Sequence, residues 1–106
     1  MEHPPHDSHR RLAEQAPKLA QLTEQVLFGD IWQRPGLSPR ERSLATLSAL
    51  AVLARAEQLP FHLQLAQRNG LDRATLTELF THLAFYGGWP IAVSALEALA
   101  HQHEEH

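Results

Sequence analysis

The sequence predicts an all-α fold, a single compact helical domain of about five helices. Three observations predict it. Apolar residues recur at three- and four-residue spacing, prolines and glycines stand where helices would begin and end, and no alternating segment remains as a strand. A chain of 106 residues is long enough for one core. We expect the domain over residues 17–101, after a flexible arm over 1–16 and before a polar tail over 102–106.

The first firm helix is predicted from about Pro17 to Phe28. A proline suits the first helical turn because the N–H that it lacks would have no partner there. The apolar residues that follow at helical spacing are Leu19, Leu22, Val26 and Ile31. Gly29 and then Pro35 interrupt the pattern. The arm before this helix is expected to become helical towards Arg10.

The second helix is predicted to begin after Ser38 and to continue to about Ala54. Serine stands at the N-cap, Pro39 follows at the first position and Glu41 closes a capping box. Residues 44–54 are apolar almost all round, which is typical of a helix that is buried on every side. Because a domain this small can hardly enclose one helix, we expect a partner subunit to cover part of it.

The stretch from Glu57 to Gly70 fits two patterns. Four apolar residues alternate as they would in a strand, namely Leu59, Phe61, Leu63 and Leu65. However, Pro60 is unfavourable in a strand and suits a first helical turn. The pair Asn69 and Gly70 is a typical helix C-terminus. We therefore predict a helix from about Gln58 to Asn69.

Two further helices are predicted after this stretch. Asp72 is a suitable N-cap for a helix with one apolar stripe, formed by Leu76, Leu79, Phe80, Leu83 and Ala84. His82, Phe85 and Tyr86 fall outside the stripe and need a second neighbour. A glycine pair at 87–88 ends this helix, and Pro90 begins the last one.

Composition excludes several classes of protein. The net charge of -3 and the pI near 6.2 argue against nucleic-acid binding. The absence of cysteine excludes disulfides, thiolate metal sites and thiol redox chemistry. No apolar run is long enough to span a membrane, and without an apolar signal segment the expected compartment is the cytoplasm. The histidines of the C-terminal tail, at 101, 103 and 106, lack a rigid scaffold, so no metal site is predicted.

Three segments, taken in order, carry a family resemblance. They are FGDIWQRPGLSPRERSL at 28–44, EQLPFHLQLAQRNG at 57–70 and AFYGGWP at 84–90. The second contains His-x-x-x-Ala-x-x-x-Gly from His62, and the third contains Tyr-x-Gly-x-Pro from Tyr86. Together they resemble the signatures of the carboxymuconolactone decarboxylase family.

The resemblance implies both a fold and a reaction. The fold is the all-helical alkylhydroperoxidase-D type, assembled into homo-oligomers, here a hexamer or trimer, with sites near subunit interfaces. The reaction is the decarboxylation of a small lactone or cyclic carboxylate without a cofactor, as in protocatechuate degradation. The peroxidase branch of this fold carries Cys-x-x-Cys where this chain has Arg55 and Gln58. Because a peroxidase of that type needs a thiolate, its activity is not expected here.

The same resemblance suggests site residues. The reaction requires stabilisation of charge on the lactone oxygen and delivery of a proton to carbon. His62 is the expected acid, since an unperturbed imidazole holds a usable fraction of protons near neutrality, and Glu57 can orient it. Arg42 and Arg34 are expected to grip substrate carboxylates. The expected remaining binding residues are Trp32, Tyr86 and His82.

A less specific interpretation of each residue stays open. His62 would be a core histidine bonded to a backbone carbonyl, and the two arginines would form surface salt bridges. On that interpretation the protein is an oligomeric small-ligand binding protein on the same scaffold, without turnover. Convergence of His62, Arg42 and Glu57 on one cavity would favour the enzyme.

Overall fold

The computed structural model describes residues 6–104 and, for side chains, residues 10–102. It confirms the all-α class: residues 6–104 form helices and no strand. The α-helices are α1 (His6–Gln15), α2 (Pro17–Leu22), α3 (Pro39–Val52), α4 (Leu59–Arg68), α5 (Arg73–Gly87) and α6 (Trp89–Glu104). Short 3₁₀ turns lie at Ile31–Gln33 and Ala56–Gln58. The chain divides into two units, one up to Pro39 and one from Arg40 onward.

The N-terminal unit contains α1, α2 and the turns that follow them. The predicted arm over 1–16 is helical from His6, earlier than Arg10, and residues 1–5 lie outside the described part. The predicted helix over 17–28 is present but changes pitch, because π-helical turns at Thr23–Phe28 continue α2. The ring of Trp32 packs against that of Phe28 with centroids 5.9 Å apart.

Within the single chain α3 is buried along one stripe only, as expected of a domain too small to enclose it. Its buried positions are Ser43, Leu47 and Ala51, which recur every four residues and therefore form one stripe. Ala45, Ala49 and the segment 52–54 are exposed. Arg40 and Glu41 are exposed in the first turn of α3, but the exposed positions between 44 and 54 carry only apolar side chains. Cover of this apolar side by a second subunit stays a prediction.

The core of the C-terminal unit is formed by one face of each of its four helices. Its buried members are Leu47, Ala51, Leu59, Leu63, Ala66, Leu71, Leu76, Phe80, Leu83, Ala95 and Leu99. Near the start of α3, the fully buried hydroxyl of Ser43 accepts a hydrogen bond from the Asn69 amide at 3.0 Å. Since Asn69 follows the end of α4, helices α3 and α4 run antiparallel.

The turn between α5 and α6 requires both of its glycines. Gly88 has φ 109°, a left-handed conformation that glycine adopts without a Cβ clash. A Cβ on Gly87 would lie 2.9 Å from Val52 Cγ2 and 3.2 Å from Ile91 Cδ1, so the missing side chain lets α5 approach both residues. Before α5, the predicted cap is confirmed, because the Asp72 carboxylate accepts a hydrogen bond from the Thr75 N–H at 2.8 Å.

Helix α6 passes the predicted domain end at 101 and continues to Glu104. The reason is its spacing: Gln102 follows Ala95 and Leu99 on the same face, and it is only 2% exposed. The last residues of the expected tail, 105–106, lie outside the described part. Between residues 6 and 104 no helix has the length and hydropathy needed to cross a bilayer.

The end of α3 contains a strained residue, Ala54, with φ 59°. The Arg55 N–H donates to Leu50 O at 2.8 Å and the Ala54 N–H donates to Ala51 O at 3.0 Å, a terminating motif that usually has glycine at this position. Ala54→Gly is expected to raise the free energy of unfolding by about 1 kcal/mol, because it removes the cost of a left-handed alanine. Urea denaturation measures it.

The matched control for this substitution is Ala45→Gly, at an exposed position inside α3. There the same chemical change is expected to lower the free energy of unfolding by about 1 kcal/mol, because glycine is a poor helix former. Equal destabilisation by the two substitutions would show that Ala54 is not strained.

Candidate functional site

A cavity of about 270 Å³ lies in the C-terminal unit where three helices meet. Helix α3 ends beside it, and α4 and α6 begin beside it. The residues that line it are Ala51, Ala54, Ala56, Leu59, Pro90, Ile91 and Ser94. The cavity exists because most of these side chains are small and because the chain turns sharply at Ala54.

The lining is apolar apart from the hydroxyl of Ser94. In the described part of the chain, the lining includes none of the residues predicted for the site. Two charged residues flank Ala56 in the sequence, Arg55 before it and Glu57 after it, and both are exposed. The cavity can therefore accept an uncharged group, with charges available at its rim.

His62 lies one helical turn after Leu59 on α4, and residues at this spacing share a side of a helix. Its ring is partly buried and meets the ring of Phe61 edge-on, with centroids 4.9 Å apart. Burial lowers the pKa of His62 from 6.5 to about 4, because removing water disfavours the charged imidazolium. The lowered pKa favours a neutral imidazole near neutrality, whereas the sequence prediction took the pKa of His62 as unperturbed.

The lowered pKa of His62 makes stability depend on pH. Below about pH 6.5 the unfolded chain gains a proton here, whereas the folded chain does so only near pH 4. The unfolded state therefore binds more protons in this window, and the free energy of unfolding falls as the pH falls through it. We expect a loss of about 2 kcal/mol, less than the full shift because solvent still reaches the ring.

Urea titrations of the wild type and His62→Gln between pH 7.5 and 4 test this expectation. The variant should lose much of the acid-side slope, since glutamine does not titrate. His101→Gln, at an exposed histidine on α6, is the control and should keep the wild-type slope. Parallel profiles for the wild type and His62→Gln would show that His62 titrates alike in both states.

The other two predicted catalytic residues, Glu57 and Arg42, lie at different distances from the cavity. Glu57 is in the 3₁₀ turn next to Ala56. Arg42 is partly buried in the first turn of α3, about 13 Å of helix before Ala51 at 1.5 Å per residue. The structure thus brings Glu57 and His62 to one end of the unit and leaves Arg42 towards the other.

The predicted binding residues are divided between the two units of the chain. His82 and Tyr86 lie on α5, where both are exposed and their rings are 5.0 Å apart. Trp32 and Arg34 belong to the N-terminal unit: Trp32 is 7% exposed and Arg34 is exposed.

Sequence reasoning missed Arg55 and the residues of the cavity wall. Alanines and a serine near helix ends carry no distinctive signal, because the same residues occur in every packed helix. The one available signal for a site at this position was the run Ala54-Arg55-Ala56, which places a charged residue between two small ones directly after an apolar helix.

No three His, Asp or Glu side chains come close enough to hold a metal ion among the described residues. Of the tail histidines, His103 and His106 lie outside the described side chains.

Comparison with known proteins gives one family and two relatives. Residues 17–101 match the model of the carboxymuconolactone decarboxylase family. A 4-carboxymuconolactone decarboxylase from Acinetobacter baylyi is 38% identical over 69 residues, which are 65% of this chain and 52% of the relative. A nitrosuccinic acid decarboxylase from Metarhizium robertsii is 33% identical over 76 residues, 72% of this chain and 53% of the relative. The chain thus spans about half the length of these relatives.

Proposed function

Because the chain belongs to the carboxymuconolactone decarboxylase family, we propose that it is a carboxy-lyase that removes CO2 from a small carboxylic acid without a cofactor. The observation that carries the proposal is the partly buried, neutral His62, one turn from an apolar cavity. The names of the two relatives supply the class of reaction.

The two acids in those names share one chemical feature. In 4-carboxymuconolactone the leaving carboxylate is on a saturated carbon next to a double bond that is conjugated with the lactone carbonyl, and in nitrosuccinic acid a carboxylate shares its carbon with a nitro group. When the C–C bond to the carboxylate breaks, its electron pair moves onto the oxygen of the carbonyl or nitro group. A proton from water then adds to a carbon of the resulting dienolate or nitronate, which completes the exchange of CO2 for hydrogen. The proposed substrate is an acid of this kind.

His62 has a specific role in this reaction. With a pKa of about 4, roughly one ring in a thousand is protonated at pH 7, so imidazolium is not the expected acid. A neutral imidazole still donates one N–H, and a donor aimed at the oxygen that becomes negative stabilises the transition state. His62 therefore acts as a neutral hydrogen-bond donor to that oxygen.

The direct test is CO2 release. Purified protein is incubated with 4-carboxymuconolactone or nitrosuccinic acid, and CO2 is measured against a heat-denatured control. Release in proportion to enzyme, with no added metal or cofactor, is the expected result. Saturable binding of either acid without CO2 release would instead establish a ligand-binding protein without turnover.

We also propose that the protein is a homo-oligomer, a trimer or hexamer, formed through an aromatic surface made of Phe85, Tyr86 and Trp89. These side chains are 77%, 78% and 66% exposed. Their exposed area is roughly 450 Å², over half of the approximately 800 Å² that each partner contributes to a stable interface. Val52, which is exposed and lies beside Gly87, extends this surface.

Charge also favours association of identical copies. There is no Asp, Glu, Lys or Arg between Glu78 and Glu97. Two such surfaces can meet without repulsion between like charges and without burying a charged group. A second copy is therefore the partner that this surface fits.

A further inference from the structure

We propose that the cavity binds the apolar body of a small monocarboxylic acid and that Arg55 holds its carboxylate at the rim. This inference rests on the proposed function only for the identity of the natural ligand. Binding of a test acid to the cavity can be measured whether or not the protein releases CO2.

The cavity limits the size and polarity of the ligand. Its volume of about 270 Å³ lies just below the usual range for ligand pockets, roughly 300–1,000 Å³. Six of the lining residues contribute only carbon atoms from their side chains, and the other is Ser94. The lining has no charged side chain, so a charged group would find no ionic partner there. The cavity therefore fits a small ring or a short branched chain.

Arg55 provides the positive charge next to this cavity. Its neighbours on both sides, Ala54 and Ala56, line the cavity, so its backbone belongs to the rim. The side chain is exposed, and within the described residues its guanidinium makes no hydrogen bond or ion pair. A guanidinium binds a carboxylate through two parallel N–H donors, and one that makes no internal ion pair can do so without breaking an existing contact.

The α6 side of the cavity adds a second polar contact. Ser94 is on α6, whereas Arg55 follows α3, so the hydroxyl and the guanidinium approach the ligand from different elements. A serine hydroxyl donates one hydrogen bond and can also accept hydrogen bonds. The ligand class is thus a carboxylic acid with a small apolar body that carries at most one hydrogen-bonding group inside the cavity.

Arg55 also takes the role expected of Arg42. Arg42 precedes Ala51 by about 13 Å along the axis of α3. Its guanidinium is therefore poorly placed to hold an acid in this cavity. Arg55 lies beside the cavity at the end nearest His62. It is therefore a positioning residue for the carboxylate of the bound acid.

Isothermal titration calorimetry with two isosteric probes tests the inference. Cyclohexanecarboxylate should bind the wild type with a dissociation constant in the millimolar range, and neutral cyclohexanecarboxamide about tenfold more weakly. Arg55→Gln should weaken binding of the acid about tenfold and leave binding of the amide unchanged. Ser94→Leu, which fills the cavity from α6, should weaken both.

The matched control is Arg68→Gln, at the other end of α4, about 13 Å from Leu59. It should bind both probes as the wild type does. All three substitutions are at exposed positions, and far-UV circular dichroism checks their folding. The inference is overturned if the wild type binds acid and amide equally, or if Arg55→Gln and Arg68→Gln have the same effect. Selective acid binding by a protein that releases no CO2 would leave the inference standing and remove only the proposed activity.

Discussion

Replacing His62 with alanine is expected to lower kcat for decarboxylation by about 10²–10³-fold, the usual loss when one donor to a developing oxyanion is removed. KM should change little, because the hydrogen bond strengthens only as charge moves onto the oxygen. His62→Gln keeps an N–H donor and should recover part of the lost rate. Steady-state CO2 release measures both variants.

The pH profile separates a neutral donor from an imidazolium acid. If His62 acts as a neutral donor with a pKa of about 4, its protonation state does not change between about pH 8 and 5.5. We then expect no dependence of kcat on pH from this residue in that range. An imidazolium acid with that pKa would instead make kcat rise about tenfold for each unit by which the pH falls.

His101→Ala is the control for the His62 variants because it removes an exposed histidine from α6. It should keep wild-type kcat. Full activity in a folded His62→Ala protein would show that this histidine is structural. The melting temperature of each variant distinguishes lost chemistry from lost folding.

Replacing Phe85 and Tyr86 together with lysine is expected to dissociate the proposed homo-oligomer, lowering the association constant at least about 10³-fold. Two aromatic anchors are lost, each worth about 2 kcal/mol or more at the centre of an interface, and like charges then meet between copies. The subunit itself should stay folded, since both side chains are exposed and lysine suits the C-terminal end of a helix. Sedimentation equilibrium at micromolar concentration measures the change.

Thr77→Lys is the control for this charge change, because Thr77 is exposed on the same helix about 12 Å before Phe85. It should leave the assembly intact. A folded wild-type monomer at micromolar concentration, or an unchanged oligomer in the double variant, would rule out association through the aromatic surface.

Local signals in the sequence predicted the helices because they act within a few residues. Proline at the start of α2 and of α4, Asp72 before α5 and the glycines at 87–88 each determine where a helix begins or ends through their own backbone chemistry. The family signatures work in the same way, since they are read along the chain. They identify the family from the sequence alone.

The packing of whole helices determined what the sequence left open. Residues 44–54 do not show which side of α3 is buried, because almost every position is apolar; contacts with α4, α5 and α6 select Leu47 and Ala51. The pKa of His62 depends on how much water its surroundings exclude, and no motif states this. The cavity, likewise, is space between three helix ends, formed because Ala54 turns the chain and Gly87 lets the helices approach closely. Residue types are properties of the chain. Burial and empty volume are properties of the packed helices, so only the tertiary structure determines these two quantities.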